Sequence, residues 1–397
     1  MPELLLELFS EEIPARMQPR AAEDLKRLVA ESLQREGLEI GAAHAYATPR
    51  RLALVVEGVS AGSPTTIEER KGPRVGAPQP AIDGFLKAAG LKSLGDAAVV
   101  SDPKKGDYYM ARTERPGRSA AAIVAKVVPE VCAKFPWPKS MRFNRPLRSA
   151  TGDGGAELLW VRPLRSIVCL LDGAVVPFEI AGIVSSDTTR GHRFLGAEPF
   201  AVTGFEDYVK KLKARYVLLP PSERAAMIAE GARAIAKRHK LQLVEDEGLL
   251  AETAGVVEWP VVLMGAFDEA FLSVPAECLV TAMKAHQKCF SLRHPKTGKL
   301  ANRFLLVSNL IAKDGGAAIV AGNEKVIWAR LADARFFWEQ DLKKKLEPMH
   351  FELKGVTFHE KLGSQWDRME RITELARRIA GAVDAEPDLA GRAAQLC

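Results

Sequence analysis

The run Glu3-Leu4-Leu5-Leu6-Glu7-Leu8-Phe9-Ser10 decides how the chain begins. It is apolar at nearly every position, so it predicts a buried strand. Pro14 places a turn after it, and from about Met17 to Glu36 Leu25, Leu28, Val29 and Leu33 recur at helical spacing. Gly37 supplies the stop. Beyond the Thr48-Pro49 break, Leu52, Leu54 and Val56 alternate with Ala53 and Val55 as a second strand. The opening therefore reads as β-α-β and the chain as α+β, a mixed α/β protein of several domains.

Outward from that opening, Gly58 to Pro80 is rich in Gly, Pro, Ser and Thr around a charged centre and reads as a long loop or linker. Asp172-Gly173 between Ser166–Leu171 and Val175–Ile183 is a strong hairpin signal. Helices are predicted at about Phe205–Arg215, Glu223–His239 and Pro275–Gln287. A further hairpin joins Cys289–Leu292 to Arg303–Ser308 through Lys296-Thr297-Gly298-Lys299. From Ala317 the texture turns to long helices, with Ile327, Leu331, Ala334 and Trp338 at helical spacing. Gln365–Val383 and Asp388–Cys397 continue it with no stop signal at the end. These shifts divide the chain into an α/β opening (1–60), a linker and mixed segment (61–150), a strand and helix body (151–316), a helical connector (317–356) and a helical segment (357–397) that reads as the start of a domain.

At 397 residues and 47% hydrophobic composition the chain can build real cores, which excludes a disordered tail or a disulfide-stapled miniprotein. Fifty-six lysines and arginines against 50 acids leave a net charge of +6, which permits an anionic partner without demanding one. Five scattered cysteines, none in a C-x-x-C pair, favour a reducing compartment. Glu7 interrupts the only apolar run near the N-terminus, and no stretch approaches the roughly 20 apolar residues of a membrane span. The expected location is the cytoplasm, with no membrane partner.

Charge is distributed unevenly. Leu241 to Val280 holds eight acids and no lysine or arginine, whereas Thr281 to Lys313 holds seven basic residues and no acid. Arg190 to Lys240 carries eleven basic residues against five acids. Such runs are either solvated faces of opposite sign or a groove along a nucleic-acid backbone. Neither a phosphate-cradling G-x-x-x-x-G-K-[ST] loop nor a G-x-G-x-x-G fingerprint occurs, and Gly152-Asp153-Gly154-Gly155 lacks the lysine and helix that would make it one. No ligand spacing for zinc is present either, so no metal site is expected.

Three clusters are too polar for simple packing. Thr189-Arg190-Gly191-His192-Arg193-Phe194 offers two guanidiniums that could grip phosphate bidentately, or staple a loop by pairing with local carboxylates. Met283-Lys284-Ala285-His286-Gln287-Lys288-Cys289-Phe290 places donors at a helix end without acids to neutralise them. Gly322-Asn323-Glu324-Lys325-Val326, running into Arg330-Leu331-Ala332-Asp333, reads better as a structural helix with Arg330 and Asp333 paired at i,i+3. Arg190, His192, Arg193, Lys284, His286, Lys288, Lys325 and Arg330 are the candidate contacts for an anionic polymer. No catalytic residue is assigned, although Cys289 beside His286, or a site in the tail, keeps open a hydrolase acting on RNA or an aminoacyl ester.

These clusters, with Leu6-Glu7-Leu8-Phe9-Ser10-Glu11-Glu12-Ile13-Pro14, Thr48-Pro49-Arg50-Arg51-Leu52-Ala53, Lys71-Gly72-Pro73, Phe135 to Arg142 and Glu258-Trp259-Pro260, resemble in order the β-subunit family of the bacterial tetrameric glycyl-tRNA synthetases. Two departures stand out: the 143–160 link is longer than usual, and Cys289 stands where an aromatic residue is common. The resemblance implies a tRNA-binding subunit in an assembly of two α and two β chains, with glycine adenylation on α. ATP and magnesium would serve the whole enzyme, and no cofactor is expected on this chain. It further implies a body similar to the editing-type domain of phenylalanyl-tRNA synthetase, and a tail beyond Thr357 that opens a helical HD-like domain, apparently truncated. Because glycine is the smallest amino acid, a size sieve suffices at the synthetic site, so a binding scaffold without hydrolysis is expected.

Overall fold

β1 (Leu4–Ser10) is buried along its whole length and is paired on both edges, as a strand apolar on both faces requires. This computed structural model describes residues 2–101, 106–143 and 158–397. The glycine run 152–155 lies outside them, as does most of the 143–160 link. α1 (Gln18–Arg35) buries Leu25, Val29 and Leu33 and ends at Gly37, whose φ of 87° is left-handed. The described chain is mixed α and β, as its patterning implies.

The sheet then departs from the expected opening. A strand absent from the sequence reading, β2 (Ala43–Thr48), precedes β3 (Arg51–Val56), and β3 runs antiparallel to both β1 and β2. β2 alternates alanines, which are poor strand formers, with His44, Tyr46 and Thr48, so it lacks the large apolar residues that mark a strand in sequence. The sheet order is Glu179–Ile180, Ile183–Ser186, Leu164–Leu171, β1, β3, β2. On one face α1 and the helix Ala120–Ala133 cover Leu4, Leu6 and Leu8. On the other, Leu5, Ala53, Val168 and Leu170 pack against Tyr208 and Leu212 of the helix Phe205–Ala214. Burying each such leucine contributes about 1.5–3 kcal/mol, so this two-sided layer holds the ends of β1 and β3 in place.

Two further expectations need correction. The 58–80 loop contains a strand, Thr66–Arg74, in a three-stranded sheet with Tyr108–Arg115 and Ala98–Val100. Its charged centre hid it, because the run Glu68-Glu69-Arg70-Lys71 shows no apolar alternation. The Asp172-Gly173 turn is present, with both φ values positive (51° and 79°), but its second strand is only Ala174–Val175. Pro177 cannot donate to a ladder, and Glu179–Ile180 pairs instead with Ile183–Ser186, which runs parallel to Leu164–Leu171.

The chain divides into two compact units: Met1–Ile235 with Asp246–Leu263 and Val307–Gly316, and Ala236–Glu245 with Met264–Leu306 and Ala317–Cys397. In the first, Arg224 is fully buried and donates to the carbonyls of Leu218, Leu219, Ala254 and Ala47 at 2.6–2.8 Å. In the second, Phe290–Arg293 runs antiparallel to the stretch from Leu300 to Leu305, the expected hairpin. The helices Ala276–Gln287 and Ala317–Asp341 pack together, burying Ile327 and Leu331. The helices Gln365–Ala382 and Pro387–Leu396 also pack on each other, the former opened by a Ser364/Asp367 capping box. Among the described residues no helix is long and apolar enough to cross a membrane.

Candidate nucleic-acid interface

Alternation along β1 sends Glu7 to the face of Leu5, and Arg51 stands opposite Phe9, one step diagonal to Glu7. Both side chains are wholly buried, with Arg51 Nε 3.2 Å from Glu7 Oε2 as an ion pair that lacks hydrogen-bond alignment. Arg51 Nη1 donates to Glu258 Oε1 at 2.7 Å, and Nη2 donates to the carbonyl of Arg190 at 3.0 Å. The Thr189 and Tyr208 hydroxyls donate to Glu7, and the Thr48 hydroxyl donates to Glu258 at 2.8 Å. Burial pushes the Glu7 carboxyl above its ordinary range against the pull of Arg51, and burial followed by the Glu7 charge drives Tyr208 well up. The backbone at Arg190 is thus tied to a closed set of buried charges.

Arg190 and Arg193 line a cleft of about 420 Å³ together with Phe9, Glu11, Arg50, Arg165, Gly191 and Ala197. Glu11 accepts from Arg165 Nε at 2.8 Å and from Arg193, while Arg50 Nη2 lies 3.9 Å away. Arg193 also reaches Glu12 at 2.8 Å. Arg190 Nη1 donates to the Ala197 carbonyl at 3.0 Å. The Arg50 guanidinium lies 4.6 Å from the centre of the Phe9 ring, and among the described residues its enclosed Nε has no partner. Burial, then the nearby Arg193 charge, pulls the Arg50 guanidinium below its ordinary value. Burial works against ionisation of Glu11, yet Arg165, Arg50 and Arg193 outweigh it and hold that carboxyl low. Three guanidiniums at Glu11 and that of Arg190 in the same cleft lining, with Glu12 outside, leave a surplus of positive charge suited to phosphate.

The loop between these arginines is closed on itself. The Gly191 N–H donates to the Gly196 carbonyl at 3.1 Å, and the Gly196 N–H to the His192 carbonyl at 3.0 Å. A β-carbon on Gly191 would meet Arg215 Cβ at 2.5 Å and the Gly196 carbonyl at 2.7 Å, so close approach demands glycine here. His192 is fully buried, and its Nδ1 accepts the N–H groups of Phe194 and Leu195, both at 3.2 Å. The sequence put His192 among the contacts; the structure encloses it, so its Nδ1 shapes the loop and, among the described residues, its enclosed Nε2 has no partner.

The remaining candidates lie in the second unit. Lys284 and His286 are exposed on the last turn of Ala276–Gln287, and Lys288 caps that helix at φ 53°. Positive charge at a helix C-terminus is favourable without any ligand. Lys325 and Arg330 are exposed on Ala317–Asp341, where Arg335 pairs with Glu339 at 2.7 Å and, among the described residues, the expected pairing of Arg330 with Asp333 is not seen. Cys289 is buried; desolvation pushes its thiol up to about 12, and its Sγ donates to the Gln287 carbonyl at 3.5 Å, whereas His286 is exposed. That removes the thiol nucleophile of the hydrolase reading. Among the described residues no three His, Cys, Asp or Glu side chains gather as metal ligands.

Sequence reasoning did not assign Arg50, Arg165 or Glu11 to the site. Arg50 and Glu11 lie in stretches noted only for their resemblance, and Arg165 has no local signal. Only the antiparallel pairing of β1 with β3 and with Leu164–Leu171 brings the three together.

The family described as glycyl-tRNA synthetase beta subunit matches residues 4–397. The chain is 52% identical over 405 residues to the glycine–tRNA ligase beta subunit of Ruegeria sp. (strain TM1040), covering 100% of this chain and 57% of that protein. It is 50% identical over 403 residues to the protein so named in Paracoccus denitrificans (strain Pd 1222), with coverage of 100% and 57%. For that of Cereibacter sphaeroides (strain ATCC 17029 / ATH 2.4.9) the identity is 51% over 404 residues, with coverage of 100% and 56%. The chain spans little more than half the length of these relatives.

Proposed function

Because this chain belongs to the glycyl-tRNA synthetase beta subunit family, we propose that it serves as tRNA-binding β-subunit sequence of a glycine–tRNA ligase. In this reading two α and two β subunits join glycine to tRNA(Gly) in the cytoplasm through glycyl-adenylate. The α subunit carries the adenylation site, where ATP and magnesium act, and this chain contributes binding and orientation. The match along residues 4–397 carries the reading, and the arginine cleft supports it by gathering positive charge where phosphates could bind. The body would be a relative of the editing-type domain of phenylalanyl-tRNA synthetase kept for binding, and the helices beyond Thr357 would belong to an HD-like domain.

The test is a reconstitution. Alone, the chain is expected to bind tRNA(Gly) and to show no glycine-dependent exchange of pyrophosphate into ATP. The cognate α subunit, once added, should co-purify with it and supply the exchange. Robust exchange by the chain free of α would overturn the assignment.

A further inference from the structure

Phe194 stands at the tip of the closed loop with 70% of its surface exposed. That is an unusual place for a large apolar ring on a loop this well tied. Its own N–H is held by His192 Nδ1, the loop ends are joined between Gly191 and Gly196, and the loop base is anchored where the His192 N–H donates to the Arg215 carbonyl at 3.0 Å. The ring therefore stays presented at little conformational cost. Its chain neighbour Arg193 lines the cleft with Arg50, Arg165 and Arg190. A duplex stem offers phosphates to such a cleft but keeps its bases stacked inside, where an exposed phenyl ring finds no face. An unpaired strand offers both a phosphate and a free base within one nucleotide.

Resting on the reading of this chain as a tRNA binder, we propose that the cleft and Phe194 form one subsite for single-stranded RNA, with a phosphate among the arginines and the adjacent base stacked on Phe194. The tRNA would then engage this surface through an unpaired stretch and not through a helical stem. Base stacking tolerates any sequence, so the subsite selects strandedness over base identity.

Fluorescence anisotropy tests it on the purified chain with three probes: tRNA(Gly), a labelled mixed-sequence oligoribonucleotide without secondary structure, and the same oligomer annealed into a blunt duplex. Phe194→Ala is expected to weaken the single strand about tenfold, which corresponds to about 1.4 kcal/mol and lies within the range for one base on an aromatic ring. Phe194→Trp should restore it, and duplex affinity should not change. Arg190→Ala should lower the magnitude of the single-strand salt slope by about 0.7. Full tRNA binding with single-strand affinity indifferent to Phe194→Ala, or an equal loss with the duplex, would overturn the subsite and leave the tRNA reading standing. Failure of the chain to bind any of the three probes would overturn both.

Discussion

Arg190 and Arg193 stand on a loop held from beneath by a fully buried arginine, whereas Lys284, His286 and Lys288 ride the last turn of a helix in the other unit. Both are basic clusters a few residues long. The first rests on charges that water does not reach: Arg51 shared between Glu7 and Glu258, with hydroxyls completing the carboxylates. The second is favoured by the helix dipole and the solvent around it. A cluster placed by buried partners keeps its geometry when a ligand arrives, and pre-organisation of that kind is what binding energy draws on. The difference predicts that substitutions under the first cluster will cost more than substitutions within the second.

The largest effect is expected at Arg51. Arg51→Met leaves Glu7 and Glu258 buried without their cation, a loss of about 3–5 kcal/mol in urea unfolding. Amide exchange should locate that loss in β1 and β3. Lys325→Ala, on an exposed helix face of the other unit, should stay within about 0.5 kcal/mol. Equal stability changes for the two would erase the contrast. Next comes Gly191→Ala, where the added methyl meets Arg215 and Gly196 and should cost about 1–3 kcal/mol by overpacking. Its RNA affinity should fall as well, since the arginines on either side shift with the loop. A fully stable variant with unchanged affinity would show that the loop is not held as described.

Binding divides the clusters more finely. The double substitution Arg165→Ala and Arg190→Ala should reduce the magnitude of the log affinity against log salt slope for tRNA(Gly) by about 0.7–0.9 for each phosphate that the chain no longer neutralises. Lys284→Ala with Lys288→Ala should leave the slope nearly unchanged if the helix end does not meet the RNA. The reverse ranking would move the RNA to the second unit and leave the cleft as a loop staple.

Elements whose apolar period was intact were legible in the chain: β1, α1 and the helices near 205–215, 223–239, 275–287 and 365–383 are observed within about two residues of expectation. β2 and Thr66–Arg74 were not, because an edge strand whose small residues are alanines and a strand with a charged centre show no run of large apolar residues to mark them. Of the cleft, Arg190 and Arg193 were legible from their local density of charge. Arg165 and the Arg51 network were not, since they meet through pairings such as Leu8 with Ile167 and Glu7 with Ala53 that span much of the chain. His192 shows the limit from the other side: a histidine between two arginines reads as a ligand group, and only burial reveals that its ring accepts two backbone N–H groups.

Glu11 gives the smallest expected effect and the sharpest probe of the cleft. Its carboxylate occupies the space among Arg165, Arg193 and Arg50 that a phosphate would take, so it competes with any anionic ligand. Those arginines hold its pKa below the ordinary value of 4.5, despite partial burial that acts the other way. A carboxyl with a lowered folded-state pKa adds stability that is present above its unfolded value and is lost as pH falls through the folded one. Glu11→Gln should therefore flatten the stability profile below about pH 4.5, leaving only the decline due to other lowered acids such as Glu36 and Asp207. At neutral pH the same substitution removes the competitor and should tighten RNA binding, while no such gain follows from replacing Glu277 at the start of the helix that carries Lys284. Urea midpoints from pH 3 to 7 and anisotropy at pH 7 measure the two effects on one pair of proteins. Parallel acid profiles together with weaker RNA binding by Glu11→Gln would mean that the carboxylate organises the arginines for the ligand and does not stand in its place.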